Sequence, residues 1–258
     1  MTHEATIDKL LKMRLSTMAD TYKSQLHDHS LSELSFAERF GLLVDMEYRT
    51  RKNNRLKRLI QQASFEQTHA HIAGLDYNSR RKLAKEQIDF LATCEYIAEH
   101  HNIIIMSASG MGKTYLACAF GIAACQQFYT VKYIRLPELL TELAVARGEG
   151  VFKKVLSQYT KVSLLILDEW MLVSLTEAEA RDCLELVNAR HKRASTIFCS
   201  QFSPAGWHGK LGEVTLADAI LDRIVHDSYQ LTIQGTDSDF SMRELYGINK
   251  NINHLKNT

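Results

Sequence analysis

The segment that most constrains how this chain can fold is N-I-I-I-M-S-A-S-G-M-G-K-T-Y-L-A, from Asn102 to Ala117. Ile103 to Met106 form a short apolar run. Small residues and glycines follow, then Gly112, Lys113 and Thr114, and an apolar-periodic stretch opens at Tyr115. That order reads as buried strand, tight loop, helix. In such a loop consecutive backbone N–H groups curl around phosphate oxygens, and the N-terminus of the helix adds its partial positive charge. Ser109, Gly110, Met111, Gly112, Lys113, Thr114 and Tyr115 are therefore the candidate nucleotide-binding residues. Lys113 is expected to reach the β- and γ-phosphates, and the Thr114 hydroxyl to ligate Mg²⁺. One position departs from the G-x-x-x-x-G-K-[ST] pattern: Ser107 stands where the first glycine is usual. That residue opens the loop without gripping phosphate through a side chain, so altered loop geometry with binding retained is expected. A chance Gly-Lys-Thr in a left-handed turn is the competing reading, and the flanking strand and helix signals argue against it.

Upstream of this segment, residues 4 to 100 read as helical almost throughout. Ile7, Leu10, Leu11, Met13, Leu15 and Met18 recur near a 3.6 period, and Phe36, Phe40, Leu43, Val44 and Tyr48 do the same. Ser30 and Ser35 each precede a glutamate by three positions, Glu33 and Glu38, the spacing of a capping box. A small all-helical N-terminal domain over residues 1–75 follows, with Gly74 to Tyr77 as the expected linker. Within it, R-T-R-K-N-N-R-L-K-R gathers Arg49, Arg51, Lys52, Arg55, Lys57 and Arg58 with no acid among them. On a helix Arg51, Arg55 and Arg58 share one face with Lys52 beside them, a stripe suited to a DNA phosphate backbone. The bland alternative is a solvated helix face. A second cluster, Arg80, Arg81 and Lys82 with Lys85, stands at the entrance to the next domain.

From Asn102 onward strands and helices alternate. Expected strands lie at 130–136, 163–169, 195–201 and 229–234, with helices between them, which implies an α/β fold: a mostly parallel sheet flanked by helices. The run S-L-L-I-L ends in Asp168 and Glu169, two carboxylates at the C-terminal edge of a parallel sheet, where nucleotides bind. Asp168 is expected in the Mg²⁺ shell and Glu169 as the group that orients and activates the attacking water. Acids ending a buried strand are common. Paired with the phosphate loop, they make the reading an NTPase. The next strand ends in Ser200 and Gln201, polar groups able to hold that water or touch the γ-phosphate. Phosphoryl transfer also calls for positive charge beyond Lys113. Arg223 and Arg243 are the late arginines in suitable surroundings, and the residues alone do not choose between them. Nothing resembles the acceptor-substrate pocket that a metabolic kinase would need.

Composition narrows the class further. The formal net charge is +1, so polyanion binding must come from local clustering rather than a global field. Cys94, Cys118, Cys125, Cys183 and Cys199 include no C-x-x-C pair and read as reduced, buried thiols rather than a disulfide frame or zinc site. The pairs His27/His29 and His69/His71 lack an acidic or thiol partner at ligand spacing and read as surface histidines. No apolar run approaches the roughly 18 to 20 residues of a membrane span, and the N-terminus lacks a signal-peptide pattern, so a cytoplasmic protein without a membrane partner is expected.

The phosphate loop, L-L-I-L-D-E, C-S-Q-F-S-P-A-G-W-H, T-L-A-D-A-I-L-D-R-I-V-H and the late S-M-R together resemble the IstB family of transposition helper ATPases. These are AAA+ proteins similar to DnaC-type helicase loaders, and the resemblance covers nearly the whole chain. It implies ATP and Mg²⁺ as cofactors, with Thr114 and Asp168 as metal ligands and Asp168 and Glu169 as the Walker B pair. Gln201 is implied as sensor 1, with Ser200 as the fallback. Arg223 matches the arginine finger, acting on ATP held by a neighbouring subunit, and Arg243 matches sensor 2. An AAA+ domain over residues 76–246 without a full C-terminal lid, and a polar tail over 247–258, are expected. The implied activity is ATP-dependent assembly on double-stranded DNA as a homo-oligomer with ATP at subunit interfaces, and recruitment or stimulation of a cognate transposase. The alternative is a loader whose N-terminal helices grip a replicative helicase and whose ATPase times release.

Overall fold

Apolar runs such as Ile103–Ile105 and Leu164–Leu167 have no polar face to offer water, so they require cover on both sides, and a parallel sheet sandwiched by helices supplies it. The computed structural model describes residues 2–28, 31, 33–77, 81–235 and 242. The chain opens with α1 (His3–Lys12), α2 (Ser16–His27) and α3 (Phe36–Ala63). A short 3₁₀ turn (Ile72–Gly74) leads to β1 (Arg81–Lys82), α4 (Lys85–Ala92) and α5 (Glu95–Ala98). Then come β2 (Asn102–Met106), α6 (Lys113–Gln126), β3 (Val131–Arg135), α7 (Leu136–Gly148), α8 (Phe152–Thr160) and β4 (Leu164–Asp168). Last are α9 (Glu177–Arg190), β5 (Ser195–Ser200), α10 (Pro204–His208), α11 (Val214–Val225), β6 (Ser228–Thr232) and β7 (Gln234–Gly235).

Strands β2 to β6 make one sheet in the order β3-β4-β5-β2-β6, every neighbouring pair parallel. From β2 the chain crosses to the far edge at β3, returns through β4 and β5, and finishes at β6 on the other side of β2. The strand order therefore reverses at β2, and the crevice at the C-terminal ends of the strands is where this architecture places ligands. Helix α6 packs so closely on the sheet that Leu116 to Phe120 are wholly buried. A Cβ at Gly121 would lie 2.4 Å from the Phe65 ring and 2.9 Å from Ile166, so only glycine fits there.

The chain divides into two compact units, Met1–Arg58 and Leu59–Thr258. The expected domain limit at residue 75 thus falls inside the second unit, which buries Leu59, Ala63, Phe65, Ala70 and Leu75. In the first unit, Met18 N–H donates to the Glu47 carboxylate at 2.9 Å, and the Gln25 amide donates to Arg39 O at 3.0 Å. These contacts set which face of α3 turns inward. Leu43 is buried, while Phe36, Phe40, Val44 and Tyr48 of the expected apolar set are exposed.

Several local expectations change. The period from Ile7 to Met18 is broken between α1 and α2, where Arg14 takes a left-handed φ of 60°. The stretch read as helical almost throughout up to residue 100 has no α-helix at Ser64–Tyr77 or Arg81–Ala84, where the structure shows only the 3₁₀ turn and β1, and Cys94 with φ 63° separates α4 from α5. The Ser35–Glu38 capping box forms: Ser35 N–H donates to the Glu38 carboxylate at 2.8 Å and Glu38 N–H to Ser35 Oγ at 3.3 Å. That hydroxyl and amide hold the Glu38 pKa below its ordinary value. Ser30 and His29 lie outside the described residues, as do Arg80, Arg243 and the tail 247–258. Of the region after β7 only Met242 is described, so the expectation about a C-terminal lid falls there too. No helix among the described residues is long and apolar enough to cross a membrane.

One buried cation ties the far end of the sheet together. The Arg190 guanidinium donates to Tyr159 O at 2.7 Å, Val162 O at 3.0 Å and Thr196 Oγ1 at 3.0 Å, and also to Ser195 O. It thereby satisfies carbonyls where α8 ends and β4 and β5 begin. Replacing it with Leu strips these acceptors of their donor, and Arg190→Leu is expected to lower the unfolding free energy by about 3 kcal/mol. Urea denaturation measures this, and a loss under about 1 kcal/mol would mean that the carbonyls find other donors.

Candidate functional site

The loop between β2 and α6 turns on two glycines, Gly110 at φ 78° and Gly112 at φ 88°, both in the left-handed region. Ser107 is not among the residues with positive φ, so its position does not call on glycine's conformational freedom. The serine is accommodated with its hydroxyl turned to Ala108 O at 3.1 Å and its N–H on Ser200 O at 3.2 Å. Lys113 Nζ donates across the loop to Ser107 O at 2.7 Å and Ala108 O at 2.8 Å. The buried Arg81, from β1, donates Nη1 to Met111 O at 2.6 Å. A Cβ at Gly112 would lie 2.5 Å from that same Nη1, so besides the strained dihedral an added side chain would have to push the Arg81 guanidinium aside.

Across the loop stands the end of β4. Asp168 is 4% exposed, and both of its oxygens are in use. Thr114 Oγ1 donates to Oδ2 at 2.6 Å, Tyr133 Oη donates to the same atom at 2.9 Å, and Glu169 N–H donates to Oδ1 at 2.8 Å. Burial, the Asp168 charge and this hydrogen bond raise the Tyr133 pKa, so the phenol stays protonated and remains a donor. Arg135, paired in register with Asp168, holds Glu66 at 3.0 Å, and its pKa is raised first by Tyr133 and then by Glu66. Cys199 is wholly buried beside these groups, and burial pushes its thiol far above the reactive range.

These elements enclose a cleft of about 660 Å³, a size suited to a nucleotide. Ser109, Gly110, Gly112, Lys113, Thr114, Tyr115, Asp168, Glu169 and Gln201 all line it. Met111 does not: its side chain is buried and its carbonyl is taken by Arg81. Ser200 is also absent from the lining, since its hydroxyl is spent inside the protein. Arg223 lies elsewhere. Its Nη1 donates to Ala219 O at 2.6 Å, and with Asn102 and Thr196 it borders a small hollow near the opposite ends of the strands. Arg243 is outside the described residues, but Met242 before it lines the cleft and donates its N–H to Gly110 O at 2.9 Å.

Sequence reasoning missed part of the wall. Glu66, Gln67, His69 and Asp76 come from the irregular stretch after α3, and Tyr133 and Arg135 from β3. Arg81 had been visible only as part of a basic cluster. Alternation along K-Y-I-R hinted that Tyr133 and Arg135 point the same way, but only strand register brings them to Asp168.

The phosphate-type loop and the acid pair belong to a chain whose relatives are known. Residues 8–244 match the family model described as IstB-like ATP binding protein. The chain belongs to this family. It is 37% identical over 230 residues to an insertion sequence ATP-binding protein of Sinorhizobium fredii, covering 89% of this chain and 94% of the relative. It is 39% identical over 201 residues to the IS1162 ATP-binding protein of Pseudomonas fluorescens, covering 78% of this chain and 87% of the relative. Among solved structures, DnaI superposes with TM-score 0.54 at 20% identity over 69% of this chain and 94% of the other. The DnaC helicase loader superposes with TM-score 0.50 at 20% identity over 58% and 88%. These likenesses establish the AAA+ P-loop fold.

Because Gly112 has a left-handed φ and an added Cβ would push Arg81 away from the loop, Gly112→Ala is expected to weaken ATP binding at least tenfold, or about 1.4 kcal/mol, while leaving the rest of the sheet folded. Titration with a fluorescent ATP analogue checks this, and unchanged affinity would mean the loop tolerates rearrangement around Arg81.

Proposed function

We propose that this protein is a Mg²⁺-dependent ATPase that assembles on double-stranded DNA and recruits or stimulates a partner transposase. The observation that carries the hydrolytic part is the 2.6 Å contact between the Thr114 hydroxyl and the Asp168 carboxylate at the mouth of the phosphate loop, with Glu169 next to it on the cleft wall. Hydroxyl and carboxylate are oxygen donors of the kind Mg²⁺ takes, so the pair fits the metal. When bound there, Mg²⁺ would neutralise charge on the β- and γ-phosphates. Lys113 would exchange its carbonyl acceptors for phosphate oxygens. Glu169 would orient the attacking water and accept its proton, and Gln201 would hold that water or the γ-phosphate.

Arg223 borders no part of its own subunit's cleft, which supports a role on ATP bound by a neighbour and hence a homo-oligomer with ATP at its interfaces. Arg243 keeps its family-based assignment as sensor 2.

The DNA-binding part rests on α3, where Arg49, Arg51, Lys52, Arg55, Lys57 and Arg58 are all exposed at the residue level. Arg51 is partly committed already: its Nε donates to Glu47 at 2.6 Å and its Nη2 to Arg14 O at 2.5 Å. Names of the relatives place them in insertion sequences, which favours the transposase as partner.

DNA binding on a long random-sequence duplex, with ATP, ADP or no nucleotide, tests the reading. ATP is expected to drive assembly, and Glu169→Gln to hold ATP and remain on DNA. The slope of log affinity against log salt is expected on the order of −5 for about five neutralised phosphates. Replacing Arg55, Lys57 and Arg58 with Ala should make it shallower by about 2 to 3. Absence of DNA binding in every nucleotide state, with co-purification of a hexameric helicase, would favour the loader reading instead.

A further inference from the structure

Ser200 ends β5 one residue before Gln201 and is 1% exposed. A serine hydroxyl has one proton to donate and two lone pairs to accept with, and here all three are used. Ser200 Oγ donates to Trp170 O at 2.8 Å and accepts from Phe202 N–H at 3.1 Å and from Trp207 Nε1–H at 2.9 Å. These backbone groups belong to the residues that follow two cleft residues. Trp170 follows Glu169, and Phe202 follows Gln201.

The backbone at Glu169 is unusual. Glu169 has φ 56° and Met171 φ 53°, so two non-glycine residues in the left-handed region bracket Trp170. Side chains disfavour that region, and it persists only where the surroundings over-determine it. The surroundings here are the Trp170 cage. Trp170 N–H donates to Cys199 O at 2.8 Å, its carbonyl is held by Ser200, and its ring is wholly buried against Phe198 at 4.8 Å and Trp207 at 6.0 Å between centroids.

We propose that Ser200 is a positioning residue for ATP hydrolysis, fixing Glu169 through the Trp170 carbonyl and Gln201 through the Phe202 amide, so that water-activating and water-holding groups keep one mutual geometry. This rests on the hydrolytic reading of the cleft and adds a residue that touches neither nucleotide nor water. The hydroxyl thus acts as a bracket between the ends of β4 and β5, and Trp207 is its third anchor.

The test compares Ser200→Ala and Trp207→Phe with the wild type, reading kcat, KM, affinity for a fluorescent ATP analogue, and tryptophan emission. The protein has only Trp170 and Trp207, so emission reports the cage directly, and in Trp207→Phe it reports Trp170 alone. Misplacement of a reacting group by about 1 Å costs on the order of 10²-fold in rate. Ser200→Ala is therefore expected to lose at least about tenfold in kcat with ATP affinity and KM within about twofold. Trp207→Phe, which removes one of the three partners, should lose less. Full kcat in folded Ser200→Ala overturns the proposal, as does a loss carried wholly by KM. If Ser200→Ala does not fold, Trp207→Phe decides: reduced kcat at retained affinity supports the bracket, and wild-type kcat overturns it. A wild type that binds ATP and never turns it over overturns the hydrolytic reading, and this inference with it; the wild-type control separates that result from failure of the bracket alone.

Discussion

The Asp168 carboxylate is the point on which the rest of the site depends. It sits at 4% exposure at the end of β4, and a buried carboxylate is tolerable only when hydrogen-bonded. Thr114 from the start of α6, Tyr133 from β3 and its own neighbour's amide supply those bonds. One helix and two neighbouring strands of the sheet are thereby registered against one carboxylate. The carboxylate fixes the distance between the phosphate loop and the acid pair, so the cleft takes its dimensions from the need to satisfy a single charge.

Around that hub the wall is built in two different ways. Strand ends place Asp168, Glu169 and Gln201, because the C-terminal edge of a parallel sheet converges where the strand order reverses. The opposite wall comes from the irregular stretch after α3, whose Phe65 packs against Gly121 and whose continuation, β1, sends Arg81 under the phosphate loop. The sheet gives precision and the loop gives enclosure. Arg81 joins the two, since its guanidinium holds Met111 O and lies against Gly112.

The N-terminal unit follows another logic. Its described residues bury little apolar surface, and its inward face is set by polar contacts such as Glu47 with Met18 N–H and Arg51. Burial works to raise the Glu47 pKa, but the hydrogen bonds from Arg51 and Met18 outweigh it and keep the group ionised below its ordinary value. Arg51 of the α3 cluster thus braces the unit while staying exposed, like the rest of the cluster. A helix face that reads as uniformly cationic thus also helps to hold the unit together.

Local chemistry made much of this legible in the sequence. A continuous apolar run, two glycines at left-handed positions and Gly-Lys-Thr leave few backbone paths other than strand, loop and helix, and an apolar run ending in Asp-Glu locates the facing strand. The family resemblance was carried by these segments together with C-S-Q-F-S-P-A-G-W-H, T-L-A-D-A-I-L-D-R-I-V-H and the late S-M-R. What the sequence could not hold was anything decided by strand register or by a single buried hydroxyl. Tyr133 and Arg135 read as ordinary strand residues until β3 pairs with β4, and Glu66 and His69 read as helix until the chain leaves α3. Ser200 looked like a polar group free to face a ligand. The tertiary structure turned it inward, because three partners around one oxygen are worth more to the fold than exposure at the cleft. Motifs fix which atoms can do chemistry, whereas contacts between residues distant in sequence depend on the whole packed chain and fix where those atoms stand.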